Sequence, residues 1–138
     1  MTPQQAILVQ STFASLASRT EDVAALFYER LFELDPELQA LFKSDLKEQG
    51  RKLMRMLDVA VDALCRFYEV VPAVKELGRR HLGYGVTDGD YDTVGAALLW
   101  TLEQGLGDSF TPDVKNAWAA AYGVLAGTMK GAAAGVPA

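Results

Sequence analysis

Three times in 138 residues a proline stands directly behind a helix-capping side chain, at Thr2–Pro3, Asp35–Pro36 and Thr111–Pro112. Proline costs nothing in the first helical position, because the N–H it lacks would have no intrahelical partner there. The preceding Thr or Asp accepts a hydrogen bond from one of the remaining orphan donors. Gln5 follows Thr2 at the spacing of a capping box. Thr20 precedes Glu21 and Asp22, acids that suit the positive end of a helix dipole. Ser44 or Asp45 caps "SDLKEQ", Pro72 sits where a first turn belongs, and Asp113 follows Pro112. No stretch alternates in the manner of a strand, and the Asp-Gly pair in "TDGD" leads into a helical run. These signals predict seven helices, over 3–17, 21–34, 36–42, 45–66, 72–82, 90–106 and 112–130. Their connections are short, with no repeat and no linker. One all-α domain over 1–131 is therefore expected, followed by a frayed tail at 132–138.

Composition narrows the function. Hydrophobic residues make up 50% of the chain against 22% charged, enough for a packed core. No uncharged apolar run is long enough for a membrane span, and "MTPQQAILVQSTF" lacks the basic start and apolar stretch of a secretory signal. The single cysteine, Cys65, excludes a disulfide framework and a multi-cysteine metal site, and fits a cytoplasmic location. A net charge of −5 argues against a nucleic-acid partner.

Three helices carry polar groups on faces otherwise apolar. In "KELGRRHLGYGV", Val74, Leu77, Gly78 and His81 share one stripe, while Lys75, Glu76, Arg79 and Arg80 lie opposite. His81, the only histidine, is thus expected on the buried face, with Gly78 leaving room beside it. A buried imidazole needs a partner for its nitrogens: a backbone carbonyl or a metal. On 45–66 the inward stripe runs Gln49, Leu53, Met56, Leu57, Ala60, Leu64, and begins with a carboxamide. On 21–34, Ala24, Phe27, Tyr28 and Leu31 share a face, so the Tyr28 hydroxyl enters apolar company and needs its own partner. One imidazole, one phenol and one amide do not make a zinc site, and no serine is placed as a nucleophile. An iron centre carried in a large apolar cofactor needs only one protein ligand, commonly histidine. Spacing leaves open whether His81 is that ligand or an ordinary core residue.

The segments "LFYERLFELDPELQALF" (26–42), "EQGRKLMRML" (48–57), "LGRRHLGYGV" (77–86), "YDTVGAALL" (91–99) and "LGDSFTPDVKNAWAAAYGVLA" (106–126) occur in the order and spacing of the globins. The chain resembles bacterial single-domain haemoglobins and the globin domain of flavohaemoglobins. The resemblance implies a three-on-three helical sandwich around haem b (iron protoporphyrin IX), with His81 as the proximal ligand. It further implies Phe42 stacked on the haem, Tyr28 and Gln49 as a distal polar pair, and Leu53 one turn beyond Gln49. Val86, Tyr91 and Val94 would line the proximal side, and Lys52 or Arg51 would reach a propionate. With no second histidine, a five-coordinate ferrous haem open to dioxygen, carbon monoxide and nitric oxide is expected.

Two functions follow from the resemblance: reversible oxygen binding for storage or delivery, and nitric oxide dioxygenation to nitrate. The second needs electrons. The 138 residues hold no strand-linked GxGxxG, so a separate reductase or small reductant is expected. In this family the proximal histidine is often tied to a tyrosine and to a glutamate of the last helix. Tyr91 supplies the tyrosine, but "KGAAAGVPA" around Ala133 holds no acid. The imidazole should then be less anionic, with a backbone carbonyl near Leu77 as the alternative acceptor, which favours gas binding.

Overall fold

The computed structural model describes residues 2–41, 45–64, 71–83 and 88–134. Among them all regular structure is helical: α1 (Pro3–Ser15), α2 (Thr20–Leu34), α3 (Leu46–Asp62), α4 (Val71–Gly83), α5 (Asp88–Leu106) and α6 (Pro112–Ala134). Short 3-10 turns lie at Ala17–Arg19, Pro36–Leu41 and Gly107–Ser109.

Most caps form as the residue types dictate. Thr2 Oγ1 accepts from Gln5 N at 3.1 Å while Gln5 Oε1 accepts from Thr2 N at 3.0 Å, closing the capping box. Asp45 accepts from Lys47 N at 3.0 Å, and Thr111 Oγ1 from Val114 N at 3.3 Å. Thr20 is different: it is the first residue of α2, and Arg19 occupies the cap position without a side-chain cap bond. The Arg19 guanidinium instead donates to the Gly105 carbonyl at 2.8 Å, tying the start of α2 to the end of α5.

Several elements depart from the sequence expectation, α1 among them, which ends at Ser15 rather than 17. The segment expected as a helix over 36–42 is a 3-10 turn, because Asp35 takes both nearby donors, Glu37 N by its side chain and Leu38 N by its carbonyl. The helix α3 ends at Asp62 rather than 66: Gln10 Nε2 of α1 donates to the Val61 carbonyl at 3.1 Å and the Asp62 carbonyl at 3.4 Å, satisfying its last turn from outside. The helix α5 starts at Asp88, two residues early. The helix α6 runs to Ala134, past the expected 130, through a segment rich in the strongest helix former.

Among the described residues, α6 packs against α4, α1 and α5, α2 packs against α5 and α3, and α1 also meets α3. Buried side chains fall into two apolar clusters. The larger joins α1, α2, α3, α5 and α6 around Val9, Leu16, Leu31, Leu102 and Trp118. The smaller joins α4, the start of α5 and the end of α6 through Val74, Tyr91, Ala126 and Met129. Tyr122 touches both. Thus, among the described residues, α3 contributes to one cluster and α4 to the other. No helix of the described residues is long and apolar enough to cross a membrane.

Candidate functional site

On α4 the exposed and covered faces divide as the sequence indicates: Lys75, Glu76, Arg79 and Arg80 are exposed, Val74 and Gly78 buried, Leu77 and His81 half-buried. His81 Nδ1 lies 2.7 Å from the Leu77 carbonyl one turn earlier. A carbonyl only accepts, so Nδ1 carries the proton and the lone pair of the neutral ring is on Nε2. The ring also stacks on Tyr91, with centroids 6.2 Å apart and planes at 30°. Tyr91 is itself buried and anchored from α6, where the Tyr122 hydroxyl donates to its carbonyl at 2.6 Å. Burial, with Tyr91 and Asp92 nearby, pushes the Tyr122 phenol well above its ordinary value, so it stays a donor.

Gly78 does something other than clear space for the imidazole. A Cβ there would stand 2.7 Å from Met129 Cα and 2.9 Å from the Met129 carbonyl carbon. The missing side chain lets α4 lie directly on the backbone of α6.

Across the cluster boundary, Ala24, Phe27, Tyr28 and Leu31 are all buried along α2. Tyr28 packs edge-on against Phe27 at 5.2 Å and stacks on Phe32 at 6.0 Å. Burial pushes its phenol up to about 12, so at neutral pH it holds its proton. Gly50 carries α3 close past α2: a Cβ there would stand 2.9 Å from Ala24 Cβ and 3.9 Å from Tyr28 Cε2. Along α3, Leu57 and Ala60 are buried as expected, as is Leu64 just beyond it, but in the first turns the buried positions are Gly50 and Met54 rather than Gln49 and Leu53. Gln49 and Leu53 therefore lie on its flank, half-buried, and Met56, expected inside, is 37% exposed. Lys52 is exposed. Arg51 lies 3.7 Å from Glu21 and is engaged on α2. Val94, half-buried, packs against the larger cluster. Phe42 and Val86 lie outside the described residues.

A family model for the globins matches residues 25–129. The chain belongs to the globin family. This globin is 33% identical over 122 residues to a flavohemoprotein of Bacillus subtilis, a match covering 86% of this chain and 31% of that protein. A flavohemoprotein of Xylella fastidiosa is 32% identical over 132 residues, 93% of this chain and 33% of the relative. The chain thus spans about a third of the length of these relatives. A neuroglobin of Tetraodon nigroviridis is 29% identical, with 88% of this chain and 86% of that one covered. Among solved structures, an engineered carbene transferase of Rhodothermus marinus, whose parent is provisionally assigned as a nitric oxide dioxygenase, superposes with a TM-score of 0.87. The two share 25% identity over 97% of this chain and 94% of the other.

The globin fold implies a haem, and the donor set of this globin fits one. Among the described residues no three His, Cys, Asp or Glu side chains come together to hold a bare metal ion. A metal arriving with its own equatorial ligands needs one protein nitrogen, and His81 offers Nε2 with its tautomer already set. Sequence reasoning missed Tyr122, Met129 and Lys130 of α6. Their signal was present, since residues 122, 126, 129 and 130 recur at helical spacing on one face.

Proposed function

We propose that this globin binds dioxygen and other diatomic gases reversibly, as a store or delivery module in the cytoplasm, through haem b held by His81 within a domain spanning 1–131. The observation that carries the reading is the Leu77 carbonyl at His81 Nδ1. A neutral carbonyl orients the ring and leaves the proton on Nδ1, without the electron push a carboxylate acceptor would give. When bound, the haem supplies a ferrous iron with one position for a gas.

The distal residues act by hydrogen bonding. Tyr28 is protonated at neutral pH because burial holds its phenol near 12. Gln49, on the flank of α3, brings an amide with two N–H donors. A ligand that gains negative charge accepts strongly from both, and one that stays nearly neutral gains less. Leu53 adds an apolar neighbour one turn on. Lys52 has no ion partner among the described residues and suits a propionate, whereas Arg51 is taken by Glu21. Tyr91 steadies the imidazole by stacking, and Val94 adds apolar lining in this reading.

The test is the absorption spectrum of the purified, haem-loaded protein in its ferric, deoxy and carbon monoxide forms. A high-spin five-coordinate ferrous form is expected. A low-spin six-coordinate ferrous form would overturn the open-site reading.

A second reading is favoured by the relatives, flavohemoproteins among them, and by the structural neighbour provisionally assigned as a nitric oxide dioxygenase. In it, nitric oxide, dioxygen and one electron give nitrate, the electron coming from a separate reductase. Sustained nitrate formation with a supplied reductase supports it, while a single turnover followed by arrest supports gas binding.

A further inference from the structure

The geometry points to Lys130 as an electrostatic positioning residue: its ammonium, held over Tyr91, biases the centre ligated by His81 towards the ferrous state. This rests on the reading of His81 as haem ligand.

Lys130 Nζ lies 5.6 Å from the Tyr91 ring centroid, within range of a cation–π contact, and 3.8 Å from Asp92 Oδ1. The same Tyr91 ring stacks on His81 at 6.2 Å. An ammonium on α6, a phenol on α5 and the imidazole on α4 thus form one connected series. Its parts are fixed independently. Two turns before Lys130, the Tyr122 hydroxyl anchors the Tyr91 backbone, and next to Lys130, Met129 is pressed against Gly78 of α4. The backbones that carry Lys130, Tyr91 and His81 are therefore held close to one another.

The counter-charge does not cancel it. The Lys130 side chain is 33% exposed and that of Asp92 85% exposed. Water screens the carboxylate more than the ammonium, so a net positive potential is left on the protein side. A ferric centre carries one more positive charge than a ferrous one and is disfavoured by that potential. Where a carboxylate near the proximal histidine would raise electron density at the metal, Lys130 lowers it.

The test is an anaerobic spectroelectrochemical titration of the full chain loaded with iron protoporphyrin IX, alongside resonance Raman of the ferrous iron–histidine band. Lys130→Met should shift the ferric/ferrous ratio at a given potential towards ferric by roughly three- to tenfold, the size expected of one partly screened charge. Asp92→Asn should shift it the opposite way, and Lys130→Arg should stay close to the parent. Asp92 is exposed, so its variant reports even if Lys130→Met loosens the pocket. Shifts of the same sign for Lys130→Met and Asp92→Asn, or no shift in either, would overturn the role of Lys130. Absence of the iron–histidine band in the parent protein would instead bring down the assignment of His81.

Discussion

Replacing Tyr28 by phenylalanine removes one hydroxyl and leaves the ring. The ring is locked by its edge contact to Phe27 at 5.2 Å and its stack on Phe32 at 6.0 Å, so the shape of the pocket is retained. What is lost is a donor, and the donor is present at neutral pH because burial holds the phenol near 12. A hydrogen bond to an acceptor bearing charge is worth about 1.5–3 kcal/mol. At 1.4 kcal/mol per decade that is roughly ten- to a hundredfold in dissociation rate. Stopped-flow displacement of dioxygen by excess carbon monoxide measures the oxygen off-rate, and displacement of carbon monoxide by nitric oxide gives the comparison. The oxygen off-rate should rise by about one to two decades while the carbon monoxide off-rate changes far less. Equal acceleration of both would mean that Tyr28 acts by filling space. No acceleration of either would place the hydroxyl outside the ligand's reach.

Further outcomes are expected. His81→Gly should abolish the ferrous iron–histidine band, with recovery on adding free imidazole, and unchanged coordination would end the proximal assignment. Gly78→Ala places a methyl group against the backbone of Met129, which cannot swing aside. It should cost about 1–3 kcal/mol and lower the thermal midpoint by roughly 5–10 °C, read by circular dichroism. The raised phenol of Tyr28 makes stability depend on alkaline pH. The unfolded chain gives up this proton near its ordinary value of about 10, while the folded chain keeps it to about 12. Its contribution is therefore complete below pH 10 and is lost as pH rises towards 12, by at most about 1.4 kcal/mol per unit. Denaturant titrations should show the parent losing stability relative to Tyr28→Phe over that window, and an unchanged difference would refute the raised value.

Helix identity was largely legible because capping is local. Thr2 with Gln5, Asp45 and Thr111 each bond a backbone N–H two or three residues away, and nothing distant is needed to form those bonds. Helix ends set by remote partners were not legible. Gln10 closes the last turn of α3 from 51 residues away, and Arg19 binds the carbonyl of Gly105 across 86. The face carrying His81 followed from spacing, and so did the face carrying Tyr28, since three and four residues bring side chains to one side of a helix.

Packing assigned the rest. At the close crossing with α2 it is Gly50 that faces inward, with Gln49 and Leu53 on the flank and Met56 in solvent, while Leu57, Ala60 and Leu64 stay buried as spacing predicts. Gly78 looked like space for an imidazole and is in fact the seat of α6. Lys130 stood in the sequence as one solvated cation among 13 basic residues. Its place above Tyr91, and so its bearing on His81, arises only where α4, α5 and α6 meet. Periodicity along a chain specifies which side of a helix turns inward; which atoms it then meets depends on how helices far apart in sequence settle against one another.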